Sequence, residues 1–253
     1  ELAEYRDLFY FLVTRDIKVR YKQTVLGGLW AIIQPFFMMV VFSLFFGNLA
    51  KVPSDGVPYP IFSYSAMIAW SYFANAVSTS GNSLIQEGGL ISKVYFPRLI
   101  VPLSPVLSGL LDFAIAFIVL IGMMLYYHVY PTVMTVFLPL LIILMMLAAS
   151  GTVMFLAALN SKYRDIRYTI PFLVQLWMFA SPVVYPASML PEKYRFIYAL
   201  NPMAGVIEGF RSALLGTVAF PTQMILVSTA VSLSLFIIGA IYFRQTERYI
   251  ADI

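Results

Sequence analysis

At 253 residues with only 11% charged side chains and 61% hydrophobic ones, the chain falls far below the roughly one-quarter charge content of a soluble domain. No polar run approaches the roughly 50 residues of a separate soluble domain, so one membrane domain over 1–253 is expected. The absence of cysteine excludes disulfides and Cys-based metal or redox centres. The net charge of +4 comes from bases that flank apolar segments, which points to membrane topology rather than to nucleic acid.

Glu1 rather than methionine opens the chain, so a trimmed or processed start is expected, with no cleavable leader before the first span. Residues 1–22 place Leu2, Tyr5, Phe9, Leu12, Val13 and Ile17 mostly on one helical face, with Arg6, Asp7, Thr14, Arg15, Lys18 and Lys22 largely elsewhere. That pattern predicts an amphipathic helix in the membrane interface, either a lipid anchor or a docking surface. A span needs about 20 mostly apolar residues, and 29–50, 60–80, 103–126, 133–159, 168–187 and 222–243 qualify as six transmembrane helices. Ser63, Ser65, Ser71, Asn75, Ser78 and Ser80 dilute the second, which therefore faces protein or water rather than lipid. Pro171 and Pro182 fall within the fifth, where a kink is expected.

The loop 86–102 is loosened by Gly88-Gly89, with a short helical turn at 91–95 before Pro97. After the fifth span, 192–200 and 201–216 are apolar but too short to cross the hydrocarbon core, and Asn201-Pro202 makes a corner between them. They predict an external re-entrant helical hairpin, or else a hairpin lying flat on the membrane. Glu208 and Arg211 lie three apart, placed to pair on one helical face. The organisation is thus an all-α membrane protein: interface helix 1–28, spans one to five in 29–187, re-entrant hairpin 188–216, and the sixth span with its tail in 217–253. Of the sixteen Lys and Arg, all but Lys51, Lys193, Arg195 and Arg211 fall on one side, which puts both termini in the cytoplasm.

Missing chemistry narrows the function. There is no phosphate-binding loop, HExxH or GxSxG motif, the carboxylates are scattered, and no catalytic residue or metal site is expected. His128, in a string of tyrosines, is an interfacial side chain or a proton or ligand group, but a His cluster for metal is excluded. Asp112 is the one acid well inside a span; it faces a partner helix or water, or lies nearer the interface than drawn. Ion-driven carriers need several such groups, so energy should come from elsewhere.

Aromatics are abundant, with 21 Phe, 17 Tyr and 3 Trp. Trp30, Tyr59, Tyr168 and Tyr185 fall near interfaces, and Phe62 and Phe73 return to nearly the same helical face. Belt and packing account for any one of them. The sharper reading makes Tyr59, Phe62, Phe73, Tyr168 and Tyr185 a lining on which sugar rings slide through weak, repeated contacts.

Beginning at Arg15-Asp16-Ile17-Lys18-Val19-Arg20-Tyr21-Lys22-Gln23-Thr24-Val25-Leu26-Gly27-Gly28-Leu29-Trp30 and ending at Gln34-Pro35, one stretch resembles the N-terminal signature of ABC-2 type export permeases. Asn160-Ser161-Lys162-Tyr163-Arg164-Asp165, Ser181-Pro182-Val183-Val184-Tyr185-Pro186, Leu200-Asn201-Pro202-Met203, Glu208-Gly209-Phe210-Arg211 and Leu214-Leu215-Gly216 are similar to later parts of that pattern. Within the family the chain looks most like permeases of O-antigen (lipopolysaccharide) exporters, with teichoic acid and capsule exporters as near relatives.

The resemblance implies a non-catalytic, channel-forming subunit of an inner-membrane exporter for lipid-linked polysaccharide. It implies a homodimer above two separately encoded ATPases, which would carry the ATP and Mg; no cofactor is expected on this chain. It also implies that the interface helix and the 86–102 loop touch the ATPases, with Arg15, Arg20, Glu87, Gly88 and Lys93 as the coupling contacts. The family's external re-entrant helices would correspond to 191–216, with Asn201, Pro202, Glu208 and Arg211 as its key residues. Nothing resembles the Glu-Ala-Ala loop of importers, so transport is outward. A dimer is also physically reasonable: a lone bundle closes on its own core, whereas two facing bundles can form a passage.

The weighed alternatives are an ABC-2 permease for lipid, drug, capsule or teichoic acid, an intramembrane enzyme acting on lipid-linked glycans, and an ion-driven carrier. A neighbouring gene for a phosphate-loop ATPase separates the first from the other two.

Overall fold

The computed structural model describes residues 4–22, 27–91, 96–163, 165–216 and 218–250, with backbone alone for 90, 91 and 248–250. The described residues form helices and no strand. In chain order these are α1 (Arg6–Lys22), α2 (Trp30–Phe42), α3 (Tyr59–Gln86), α4 (Gly88–Ile91), α5 (Ile100–Tyr126), α6 (Leu138–Lys162), α7 (Ile166–Phe179), α8 (Glu192–Tyr198), α9 (Pro202–Leu215) and α10 (Thr222–Ile250).

Four stretches among the described residues are long and apolar enough to cross a membrane: Gly27–Leu49, Ile100–Tyr126, Val133–Lys162 and Thr222–Glu247. The first joins α2 to a wider π-helical turn, Ser43–Leu49. The segments expected at 60–80 and 168–187 are helical but fall outside that set. α3 has the length, at 28 residues, but its serines and asparagines lower its hydropathy. α7 is too short, since it stops at Phe179 after 14 residues, or roughly 21 Å at 1.5 Å per residue. Pro182 is therefore not a kink inside this helix: it lies in the turn that follows, because the residue before a proline is driven out of helical geometry. Pro171 does lie inside α7. The short turn expected at 91–95 begins earlier, as α4, and residues 92–95 lie outside the described set.

α3 runs through the middle of the molecule and packs against α2, α5, α6, α7 and α9. α6 and α10 form the most extensive helix pair, and glycines bring them together. A Cβ on Gly151 would lie 2.6 Å from the backbone nitrogen of Phe236, and one on Gly239 would run into the carbonyl of Gly151. Small residues permit such backbone-to-backbone approach between membrane helices.

α8 and α9 span 7 and 14 residues, meeting at Asn201-Pro202 as expected. Asn201 caps α9 by accepting from the Met203 backbone N–H at 3.0 Å, Pro202 opens the first turn, and Gly216 closes it at φ +65°. Every residue of α9 is buried. His128, exposed and at φ 55°, follows the end of α5, where its amide bonds the Leu125 carbonyl.

Tyr5, just before α1, and Leu8 of its first turn pack on a small core that includes Leu84, Phe96, Met154 and Phe243, and Leu12 is buried. Tyr10 and Phe11 point outward, at 74% and 60% exposure.

Candidate functional site

Three polar constellations stand out in this apolar bundle. The first ties α1 to the helices beside it. Arg15 forks onto Glu87, with Nη1 3.0 Å from Oε2 and Nη2 2.8 Å from Oε1, while Nη2 also reaches Asp16 at 3.0 Å. Asp16 accepts in turn from the Ser104 hydroxyl of α5. Partial burial alone would lower the Arg15 pKa; the Glu87 and Asp16 carboxylates outweigh it and hold the guanidinium above its ordinary value. One helical turn further on, Arg20 and the Tyr21 hydroxyl each donate to a different oxygen of Asp112 in α5. Burial and that carboxylate together push the Tyr21 phenol up. Asp112 thus faces a partner helix, as one of the expectations for it held.

The second constellation is a hydrophilic stripe on α3. Ser71, Asn75, Ser78, Thr79 and Asn82 recur at helical spacing on its open side. The other serines of the segment turn inward: Ser63 and Ser65 are fully buried and bond the Pro60 and Phe62 carbonyls of their own helix. Ser80 is also fully buried, but its hydroxyl has no partner among the described residues, so the inward serines are not all satisfied by backbone, while Ser71 and Ser78 face outward.

The third sits at the α9 end of the bundle. Arg211 is fully buried and bonds Glu208 at 3.0 Å through Nη1. It also donates to the carbonyls of Val183 at 2.8 Å, Tyr185 at 3.4 Å and Phe62 at 3.4 Å. Its guanidinium lies 3.6 Å from the centre of the Phe62 ring. Glu208 accepts from the Ala187 backbone N–H at 3.2 Å. Asn201 performs a similar task nearby, accepting from the Trp177 indole at 3.0 Å and donating to the Ser181 hydroxyl at 2.8 Å. Together these groups fasten the turn 180–187 to α3 and α9.

The residues expected at a site fall into these places unevenly. Arg15 and Glu87 meet each other, Arg20 meets Asp112, and Gly88 begins α4 with open space around its Cα. Lys93 lies outside the described residues. Glu208 and Arg211 pair with each other, while Asn201 and Pro202 form the corner at the start of α9. The aromatic lining does not assemble. Phe62 and Phe73 have no exposed surface and Tyr59 is 8% exposed, with its hydroxyl on the Val184 carbonyl. Their shared face is the core side of α3, so within this chain these three pack and do not line a passage. Tyr168 is exposed on α7, and Tyr185 is half-buried against Tyr198. The exposed face of α3 carries amides and hydroxyls instead. Reading Ser71, Asn75 and Thr79 at spacing four would have found it.

No group of three or more His, Cys, Asp or Glu able to hold a metal occurs among the described residues. The fold and these sites define a multi-pass helical membrane protein whose polar groups tie helices together and line a groove. The chain belongs to the ABC-2 type transporter family, whose model matches residues 7–215. It is 29% identical over 215 residues to the O-antigen export system permease protein RfbA of Myxococcus xanthus, covering 84% of this chain and 82% of that one. The protein of the same name from Klebsiella pneumoniae is 28% identical over 249 residues, covering 98% and 95%. The polysialic acid transport protein KpsM of Escherichia coli is 23% identical over 247 residues, covering 93% and 92%.

Proposed function

We propose that this chain is the channel-forming, non-catalytic subunit of an ATP-driven exporter of lipid-linked O-antigen polysaccharide across the inner membrane. Two copies would face each other above two ATP-binding subunits that carry ATP and Mg, with both termini cytoplasmic. In this reading α3, and α7 continued by the turn 180–187, complete a set of six spans. α8 and α9 form a re-entrant external hairpin, and α1 lies in the cytoplasmic interface, so the interface helix, spans, hairpin and last span keep the boundaries 1–28, 29–187, 188–216 and 217–253. The supporting observation is the outward hydrophilic stripe of α3 in a chain whose relatives are named for O-antigen export and polysialic acid transport. Hydroxyls and amides facing hydrocarbon are costly, whereas a water-filled passage for a hydroxyl-rich polymer needs such a wall. Arg15, Arg20, Glu87, Gly88 and Lys93 would carry the ATPase stroke, with α1 as the lever that the Glu87 and Asp112 contacts join to α3 and α5.

Deleting the gene in the producing strain tests this. Surface polysaccharide should disappear while lipid-linked polymer accumulates inside the cell, and the wild-type gene should reverse both. Unchanged surface polysaccharide would overturn the proposal. The similarity to KpsM, named for polysialic acid transport, favours a polysialic-acid-like polymer as a second reading, and the identity of the accumulated glycan separates the two.

A further inference from the structure

Between α2, α3 and α5, with the end of α1 as its floor, lies a cavity of about 330 Å³. Gln34 of α2 and Ser71, Asn75 and Thr79 of α3 face it. None of these four side chains hydrogen-bonds another described residue. Trp30 of α2 and Phe113 of α5 line the cavity as well. Amides and hydroxyls lining one cavity with aromatic rings suit a ligand with polar rims and C–H faces. The volume, about eleven waters at ~30 Å³ each, lies at the small end of the range for ligand pockets. It fits one hydrated sugar ring and not an extended oligosaccharide.

Charge narrows the ligand further. Asp112, the one carboxylate among the described residues of the wall, has both oxygens engaged, by Arg20 and by Tyr21. The cation and the anion answer each other, so the cavity offers neutral donors and acceptors. A phosphate group draws its affinity from charge-assisted bonds, which a mutually paired arginine supplies poorly.

We propose that this cavity binds a single neutral sugar ring of the transported chain, through Gln34, Ser71, Asn75 and Thr79, with Trp30 and Phe113 against the ring's C–H face. The proposal rests on the glycan-export reading and places the sugar contacts on the outward side of α3, not on its buried phenylalanines. Because Arg20 and Tyr21 belong to α1, a movement of that helix would open or close the floor of the sugar site.

The chain contains no cysteine, so Ala31→Cys, at a lining position outside the proposed sugar contacts, supplies a single reporter thiol. The variant, assembled with its ATPase in lipid vesicles, is treated with a small hydrophilic thiol reagent. Reactions contain no addition, delipidated polysaccharide from the producing strain, or inorganic pyrophosphate. At four times its Kd the polysaccharide should slow modification about fivefold, as simple occupancy dictates, and pyrophosphate should leave the rate unchanged. Adding Asn75→Leu should abolish protection while the thiol still reacts. An unreactive thiol, protection by pyrophosphate, or no protection by polysaccharide would each overturn the sugar site. Glycan export by the same vesicles is measured in parallel. Export without protection sinks the cavity alone, and absence of both sinks the export reading with it.

Discussion

Arg211→Met removes a cation with no exposed surface and leaves Glu208, 3% exposed, as a buried charge without its partner. Three backbone carbonyls, of Val183, Tyr185 and Phe62, lose a donor at the same time. Breaking a buried pair from one side costs about 3–5 kcal/mol. For a chain of this size each kcal/mol moves the midpoint by about 2–4 °C, so the variant should melt roughly 6–20 °C below wild type. Glu208→Gln combined with Arg211→Met removes the stranded charge and should recover part of that loss. Arg211→Lys keeps the charge but lacks the planar fork that reaches Glu208 and Val183 together, and should fall between. The assay is heating in detergent followed by size-exclusion recovery, with tryptophan fluorescence as a second probe because Trp177 hydrogen-bonds Asn201 in the same network. A single variant melting with wild type, or a double variant no more stable than the single, would refute the assignment of this pair as the fastening of the 180–187 turn.

Gly151→Ala should destabilise by about 1–3 kcal/mol in the same assay, since its methyl would press on the backbone of α10; Gly88→Ala, with open space around it, should not. Glu87→Gln should change stability by no more than about 1 kcal/mol, because the Arg15 pair is part-exposed, yet reduce ATP-driven transport severalfold. The exchange Arg15→Glu with Glu87→Arg should restore transport if the contact couples α1 to α3. Asp112→Leu, which strips Arg20 and Tyr21 of their shared acceptor, should increase protease cleavage after α1 in vesicles; unchanged cleavage would show that the contact does not hold the helix.

Local chemistry made some of this legible. Asn201-Pro202 marks a corner because an asparagine cap and a proline first turn act within a few residues, and Glu208 and Arg211 meet because a helix sets residues three apart on one face. The partners of Asp112 were not legible, since Arg20 lies 92 positions earlier and no periodicity joins them. The burial of Phe62 and Phe73 escaped for a different reason. In a membrane helix, an aromatic pair on one face suits a core, a lipid belt or a passage equally well, and only the neighbours decide. Here Arg211 stacks on Phe62 and Trp177 packs on Phe73. The fifth span was overextended because hydropathy continues through Val183 and Val184, while the backbone obeys Pro182.

The most direct test of the account is export in a purified system. The chain is copurified with the ATP-binding subunit proposed for it, reconstituted in vesicles, and supplied with lipid-linked polysaccharide on the ATPase side. ATP should drive polysaccharide into the lumen, where externally added glycosidase cannot reach it, and a hydrolysis-dead ATPase should leave it outside. Polysaccharide crossing at the same rate without ATP, or none crossing while the assembled complex hydrolyses ATP, would contradict the account.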